Sequence, residues 1–367
     1  MKNIKRAFAA IIVAVMALSF TACHKKNEIA VTAKDVEFTS AYYMCALINA
    51  DSEAKSKVQE SLTEEEQKAE EINYYSKKID DKEYKTWVKD KALEYLKDIA
   101  AYKLLCSENK VEIDKDLTAN AEYMSEFYWN NYGYSMMFEP NGVSKETYLK
   151  YSADAAYSEA YFNHLYAKDG KKEISAKDVK AEIHGSYVIA EQLSASYTSE
   201  MTDKEKTALK KKLQKYVKDL NDGKTTFEKV YNDYNAVKET DKKEENTAED
   251  EETSKPKSEH AQIFGKEGTN YESEHYDTVK KLKTGVAKLI ELEDKSGFIL
   301  LVKQDIKADD YYLEALDSAA RHTLKDDEFK KTVDEYKKSF ELDVDSYAIN
   351  QFKVDKIVEP DYSNAGY

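Results

Sequence analysis

Three proline and ten glycine residues in a chain of 367 leave little with which to break helices or to turn tightly. This scarcity excludes collagen-like, Pro-rich and turn-dense all-β chains, and the abundance of Lys, Glu, Ala and Leu points to a mostly helical protein. Cysteine is equally sparse at three. No CxxC pair and no Cys/His metal spacing occurs, so neither a metal site nor a cofactor is expected. A Gly-rich phosphate loop, a G-x-S-x-G elbow and an HExxH helix are all missing, which removes the best-marked nucleotide, acyl-transfer and metalloprotease chemistries. Positive charge is in deficit as well. The net charge is −15, which argues against a nucleic-acid partner.

What is present is charge of both signs, 35% of the residues, and 29 tyrosines. Tyrosine combines apolar area with a polar edge, and suits either a loosely packed core or a wet groove. The length allows two or three domains. Residues 1–6 are basic, 7–20 apolar, and the small pair Thr21-Ala22 precedes Cys23. A charged start, a short apolar run and a small-residue cleavage site describe an export signal over 1–22 rather than a membrane span. The cysteine directly after the small residues resembles a bacterial lipobox, which makes Cys23 the expected lipidation site. The mature protein would be extracytoplasmic and held to the bilayer through Cys23, at about 0.8 kcal/mol per buried methylene. An ordinary signal peptide cut nearby is the alternative. Of the other cysteines, Cys45 and Cys106 either pair or stay as two buried thiols.

Residues 23–34 are polar and read as a tether. From 35 to 172 the sequence reads as helices. Residues 36–48 are apolar and Tyr-rich; Val88, Ala92, Leu96 and Ile99 share a face, flanked by Trp87, Tyr95 and Tyr102. Glu139-Pro-Asn-Gly142 is a stop, and Ser144 stands as the N-cap of the next helix. Residues 173–306 change character. Tyr187-Val-Ile-Ala-Glu-Gln-Leu193 reads as a strand, and Thr202-Asp-Lys-Glu205 has the form of a capping box opening a helix to Leu220. Gly223 stops that helix, and a short helical turn at Thr226-Phe-Glu-Lys-Val230 follows. Segment 238–259 is highly charged, lacks aromatic and large apolar residues, and is expected as a disordered insertion. Gly297-Phe-Ile-Leu-Leu-Val-Lys303 is a second strand. Helices over 311–322 and 326–340 follow, with Phe329, Val333, Tyr336 and Phe340 on one face, and 358–367 reads as a tail.

Strand, long helix, Asn221-Asp-Gly-Lys-Thr-Thr-Phe-Glu-Lys-Val230, Leu282-Lys-Thr-Gly285 and a Gly-aromatic strand follow one another in the order of a parvulin domain. The chain resembles the PrsA/SurA type of extracytoplasmic foldase lipoprotein, with a PpiC-type peptidyl-prolyl isomerase module. The resemblance implies an α+β fold: a mostly helical N-terminal domain (35–172), completed by C-terminal helices (307–357), with a small parvulin-like α/β domain inserted at 173–306. It implies unfolded or nascent exported proteins as partners, and it allows a homodimer.

Parvulins carry two histidines in a hydrogen-bond network behind the proline groove. The first of these positions falls on Gln192, or on Glu191 if the register slips by one; the second falls on Ile299. Both histidines are therefore absent, and the domain is expected to be a degenerate isomerase. Phe227, Phe264, Tyr276 and Phe298 are the groove candidates by position. His164, His184, His260 and His275 are expected to be structural or exposed. The first expectation is accordingly a membrane-anchored chaperone. An isomerase rebuilt from Gln192, Tyr187 or Tyr276, and a lipoprotein scaffold for one envelope partner, stand beside it.

Overall fold

The computed structural model describes residues 28–67, 72–236 and 256–360. The expected signal peptide, Cys23, residues 24–27 of the tether, residues 238–255 of the insertion and residues 361–367 of the tail lie outside them. The protein is α+β. Its chain divides into two compact units, Met1–Leu165 with Glu328–Tyr367, and Tyr166–Asp327.

In the first unit, strand β1 (Ile29–Ala33) pairs antiparallel with β2 (Val36–Thr39), the chain reversing at Lys34 in the left-handed region. A tether ending at residue 34 and a helix from Val36 were expected; both give way to this hairpin. Val31, Thr32, Val36 and Thr39 are β-branched and favour extended backbone. Thr39 then caps α1 (Ser40–Ser61), its Oγ1 accepting from the Tyr42 amide at 3.3 Å. Every residue from Ser40 to Ile48 is buried, which makes α1 the central helix of the unit. A short α2 (Glu64–Gln67) and the hairpin β3 (Lys78–Ile79) and β4 (Lys82–Glu83) lead to α3 (Tyr84–Asn109), which packs along α1.

Helices α4 (Lys115–Asn131), α5 (Tyr134–Phe138), α6 (Lys145–Ala153) and α7 (Ala155–Tyr166) follow, with Ser144 capping α6. Asp154, buried between α6 and α7, accepts from Tyr42 Oη and is 2.6 Å from Lys103 Nζ, so this buried carboxylate is paired.

In the second unit α8 (Ala176–Ser186), capped by Ser175, runs directly into β5 (Tyr187–Ser196). Helix α9 (Asp203–Asn221) opens on the Thr202/Glu205 capping box, and α10 (Phe227–Asn235) is capped by Thr226. Strand β6 (Ala261–Gly265), helix α11 (Tyr276–Lys281) and strands β7 (Ala287–Glu291) and β8 (Gly297–Gln304) complete an antiparallel sheet of order β6-β5-β8-β7. Gly297 is required by space. A Cβ there would collide with the Ala195 carbonyl oxygen and stand 2.7 Å from Ser196 Cα.

The end of the charged segment is tied down, contrary to an insertion loose to residue 259. The Lys257 amide donates to Asp309 Oδ2 at 3.0 Å and Ser258 Oγ to Glu191 Oε1 at 2.8 Å.

After α12 (Tyr311–Ala315), helix α13 runs from Asp317 to Lys337 without the break expected near residues 322–326. His322 Nδ1 and Asp326 Oδ1, 2.6 Å apart, form an i,i+4 pair across that point. Within the second unit Arg321, buried and bridged to Asp317, donates from Nη1 to the carbonyls of Tyr166 at 2.8 Å and Ile174 at 3.2 Å, tying α13 to both ends of the 167–174 link.

The division between units falls within α13 after Asp327. In the first unit, Phe329 stacks on Tyr102 and meets Phe162 edge-on. Strand β9 (Asp343–Val344) pairs with β1, and α14 (Ser346–Asn350) follows. Val358 and Glu359, expected in the tail, are held. Asn141 exchanges two hydrogen bonds with the Val358 backbone, and Glu359 pairs with Lys55.

Cys45 and Cys106 are both free and buried. Burial pushes the Cys106 thiol up to about 11 and the Cys45 thiol higher still, so neither is a thiolate at pH 8. The two residues are expected to react with an aromatic disulfide reagent only after urea unfolding, as read by mass mapping. Rapid labelling of either in the native protein contradicts this packing.

Candidate functional site

A strand places successive side chains on opposite faces, and the sheet of the second unit separates two cores accordingly. On one face Leu193, Ala195, Phe298, Leu300 and Val302 lie against Leu213 and Tyr216 of α9 and Phe227, Val230 and Tyr234 of α10. On the other, Val188, Ala190, Phe264, Ile299 and Leu301 lie against Tyr276 and Val279 of α11, with Ile290 and Leu292 half-buried alongside. Gln192 and Ser194 belong to this second face by alternation. Gln192 stands opposite Leu301 and Ser194 opposite Ile299 in the β5–β8 register. Ser194 is exposed and Gln192 half-buried, so α11 leaves this end of the face open.

The two positions expected to have lost histidine, Gln192 and Ile299, are therefore brought onto one face, together with Phe264 and Tyr276. Phe227 and Phe298 are not. They are 4% and 1% exposed and lie on the α9/α10 side, while Phe264 and Tyr276, on the α11 side, are buried as well. Phe298 and Ile299 are adjacent in one strand and cannot share a face. Phe227 is the first residue of α10, the helix that covers the opposite side.

Glu191, the alternative register, also points away; its carboxylate accepts from Ser258 Oγ and from Gln304 Nε2, each at 2.8 Å. The His260 carbonyl accepts from the Gln192 amide at 3.0 Å, while its ring stacks on Tyr231, centroids 3.8 Å apart. The imidazole of His184, on α8, is held below its ordinary pKa by burial and by Lys307 and Lys180. His275 Nε2 lies 3.4 Å from Glu274. His164 is in the first unit, on α7.

The polar groups on the α11 side gather at the far end. Tyr276 Oη donates to the Gly185 carbonyl at 2.8 Å. Lys280 Nζ donates to Tyr276 Oη at 2.5 Å and to the same carbonyl at 2.9 Å. Lys303 Nζ donates to the carbonyls of Lys280 and Leu282 at 2.7 and 2.8 Å, closing the C-terminal end of α11. Burial, and then the charge of Lys280, lower the Lys303 pKa. Sequence reasoning missed both lysines. The available signal was a lysine in the last turn of a short helix and another ending an apolar strand.

At the open end of the face the half-buried Ile290 and the buried Ile299 lie beneath the Gln192 side-chain amide, which donates to Ser194 Oγ at 3.2 Å, and the exposed Ser194 hydroxyl. Such a surface can hold an extended chain by apolar contact and neutral hydrogen bonds. Gln192, Ser194, Ile290 and Ile299 present no group that exchanges a proton near neutral pH. Among the described residues no group of three His, Cys, Asp or Glu side chains could hold a metal ion.

No protein-family model matches the chain, and the curated proteins contain no match. Among the solved structures similar to the chain are two of PrsA. One is the foldase protein PrsA from Lactococcus lactis, 13% identical with a TM-score of 0.38, over 89% of this chain and 99% of that one. The other is PrsA from Bacillus subtilis, 17% identical with a TM-score of 0.31, over 70% of this chain and 87% of that one. No residue-to-residue correspondence follows at such values, and the site is read from its own geometry.

Assigning Phe298 to the core has a measurable consequence. Phe298→Ala is expected to cost about 3–5 kcal/mol of stability, and Ser194→Ala less than about 0.5 kcal/mol, both read by urea unfolding. Equal effects contradict the two-face assignment.

Proposed function

We propose that the chain is an extracytoplasmic chaperone of foldase type, anchored through a lipid on Cys23. It holds unfolded exported polypeptides on a parvulin-like sheet that no longer isomerises prolyl bonds. The observation that carries this reading is the sheet face on which the exposed Ser194 and the half-buried Gln192 stand over the buried Ile299, apolar and neutral, where the resemblance calls for two histidines. Prolyl isomerisation needs no covalent step. A catalyst must bind the twisted amide more tightly than the planar one, through a preorganised polar network at the point of twist. A face of isoleucine, amide and hydroxyl retains the means to bind an extended chain without that network. The sheet order β6-β5-β8-β7, with its long helix α9 on one side and short α11 on the other, supports the parvulin-like reading. The basic, apolar and small-residue run ending at Cys23 supports export and anchoring.

The test is suppression of aggregation. The full chain, at stoichiometric amounts, is expected to lower the light scattering of two unrelated, chemically unfolded clients. The double substitution Gln192→Glu/Ser194→Glu, at half-buried and exposed positions, is expected to weaken client binding about tenfold while the protein stays folded. Failure of the wild-type chain to protect either client contradicts the proposal. So does protection limited to a single stable partner.

A further inference from the structure

Helix α4 of the first unit carries more aromatic surface than its packing uses. Of its residues only Ser125 and Trp129 are buried. Trp129 packs on Tyr148, centroids 5.3 Å apart, and Tyr148 on the fully buried Phe138 at 4.8 Å. That inner layer fastens the helix. Outside it lies a second layer with no place in the core: Tyr123 is 68% exposed, Tyr132 55%, Phe127 40% and Tyr128 36%. Tyr123 and Phe127 are one turn apart, as are Tyr128 and Tyr132, so the side chains form two adjacent rows. Three of the rings touch, with Phe127–Tyr132 at 5.6 Å and Tyr128–Tyr132 at 5.4 Å, and Tyr123 lies one turn before Phe127. Single exposed aromatics are ordinary; a contiguous group marks an interaction surface.

We infer that this aromatic face is a docking surface for unfolded polypeptide segments in which large apolar residues are interspersed with lysine or arginine. The inference rests on the holding function proposed above and adds a second surface, in the other unit, with its own selectivity. Charge decides the occupant. Glu122 and Glu126 stand beside Tyr123 and Phe127 in a parallel i,i+4 row, and Asp116 precedes them; Lys115 is the one basic residue of the helix. Glu126 is paired with Lys145 at 2.5 Å. With Glu126 compensated by Lys145, the exposed Glu122 carboxylate remains beside the rings; a second copy docked about a two-fold axis would set it against its own counterpart, and a bilayer with an anionic surface would repel it. A basic and apolar segment meets neither obstacle. Its apolar side chains cover the rings, and its cations find the carboxylates and the aromatic faces together. The same unit already makes such contacts internally, with Lys91 5.1 Å above the Tyr95 ring and Lys103 5.2 Å above Tyr157.

The experiment uses the full chain and two fluorescent peptides of equal length, one alternating leucine with lysine and one alternating leucine with glutamate, read by anisotropy. The leucine–lysine peptide is expected to bind about tenfold more tightly than the other. Tyr123→Ser/Phe127→Ser/Tyr132→Ser is expected to weaken it about tenfold with an unchanged thermal melt, and Glu122→Lys/Glu126→Lys to reverse the preference. Wild-type affinity in the triple variant overturns the inference and leaves the holding function standing, provided the Gln192→Glu/Ser194→Glu protein has lost affinity. Absence of binding by the wild-type chain to either peptide or to any unfolded client overturns both. Co-sedimentation with phosphatidylserine vesicles, or self-association, that is lost in the triple variant assigns the face to a membrane or a second copy and also overturns it.

Discussion

The pairing of β5 with β8 is the interaction on which the second unit depends. These are the two central strands of the sheet, in continuous register from Ile189 opposite Gln304 to Ser196 opposite Gly297. At Gly297 the backbone of Ala195 and Ser196 leaves no room for a β-carbon. Once this register is set, alternation assigns every neighbouring side chain. Phe298, Leu300 and Val302 enter the core under α9 and α10; Ile299 and Leu301 face α11. A slip of one residue would exchange the two sets and put Phe298 where Ile299 stands. The chemistry of the open face follows from that single register.

The abundance of tyrosine resolves into two uses. Tyr43, Tyr84, Tyr166 and Tyr187 are among the largest fully buried side chains, and Tyr84 and Tyr42 carry hydrogen bonds that let charged groups stay inside. Tyr84 Oη donates to the buried Asp51 carboxylate at 2.9 Å, beside Lys55, and Tyr42 Oη donates to Asp154. In a chain with few glycines and many charges, the phenol supplies core volume while satisfying carboxylates that an all-aliphatic interior would leave unpaired. On α4 the same residue type faces outward. Composition alone could not separate the two uses, because ring burial depends on which helix lies next to it.

Much of the fold was legible where local chemistry is decisive. Thr202 with Glu205, and Ser144, cap helices as their side chains require, and Gly223 adopts the left-handed conformation that ends α9. Misreadings arose where tertiary partners overrule local pattern. Residues 29–39 form a hairpin whose first strand also pairs with β9, more than three hundred residues away in the chain. Helix α13 continues past Leu324 and Lys325, which carry no breaker, through the His322–Asp326 pair. The site was half legible. Gln192 and Ile299 could be located by strand order, whereas Phe227 and Phe298 needed the direction of each face. Lys280 and Lys303 are recognisable only once the end of α11 meets the end of β8.

The most direct measurement of the central claim, that this sheet binds polypeptide without isomerising it, is NMR exchange spectroscopy. A proline-containing peptide would be followed with and without the full chain from His24 onward. Uncatalysed exchange crosses a barrier of about 18–20 kcal/mol. The account predicts the same cis–trans exchange rate in both samples, with line broadening that reports binding. An accelerated rate that disappears on Gln192→Ala would mean that a working isomerase site exists on this face, and would contradict it.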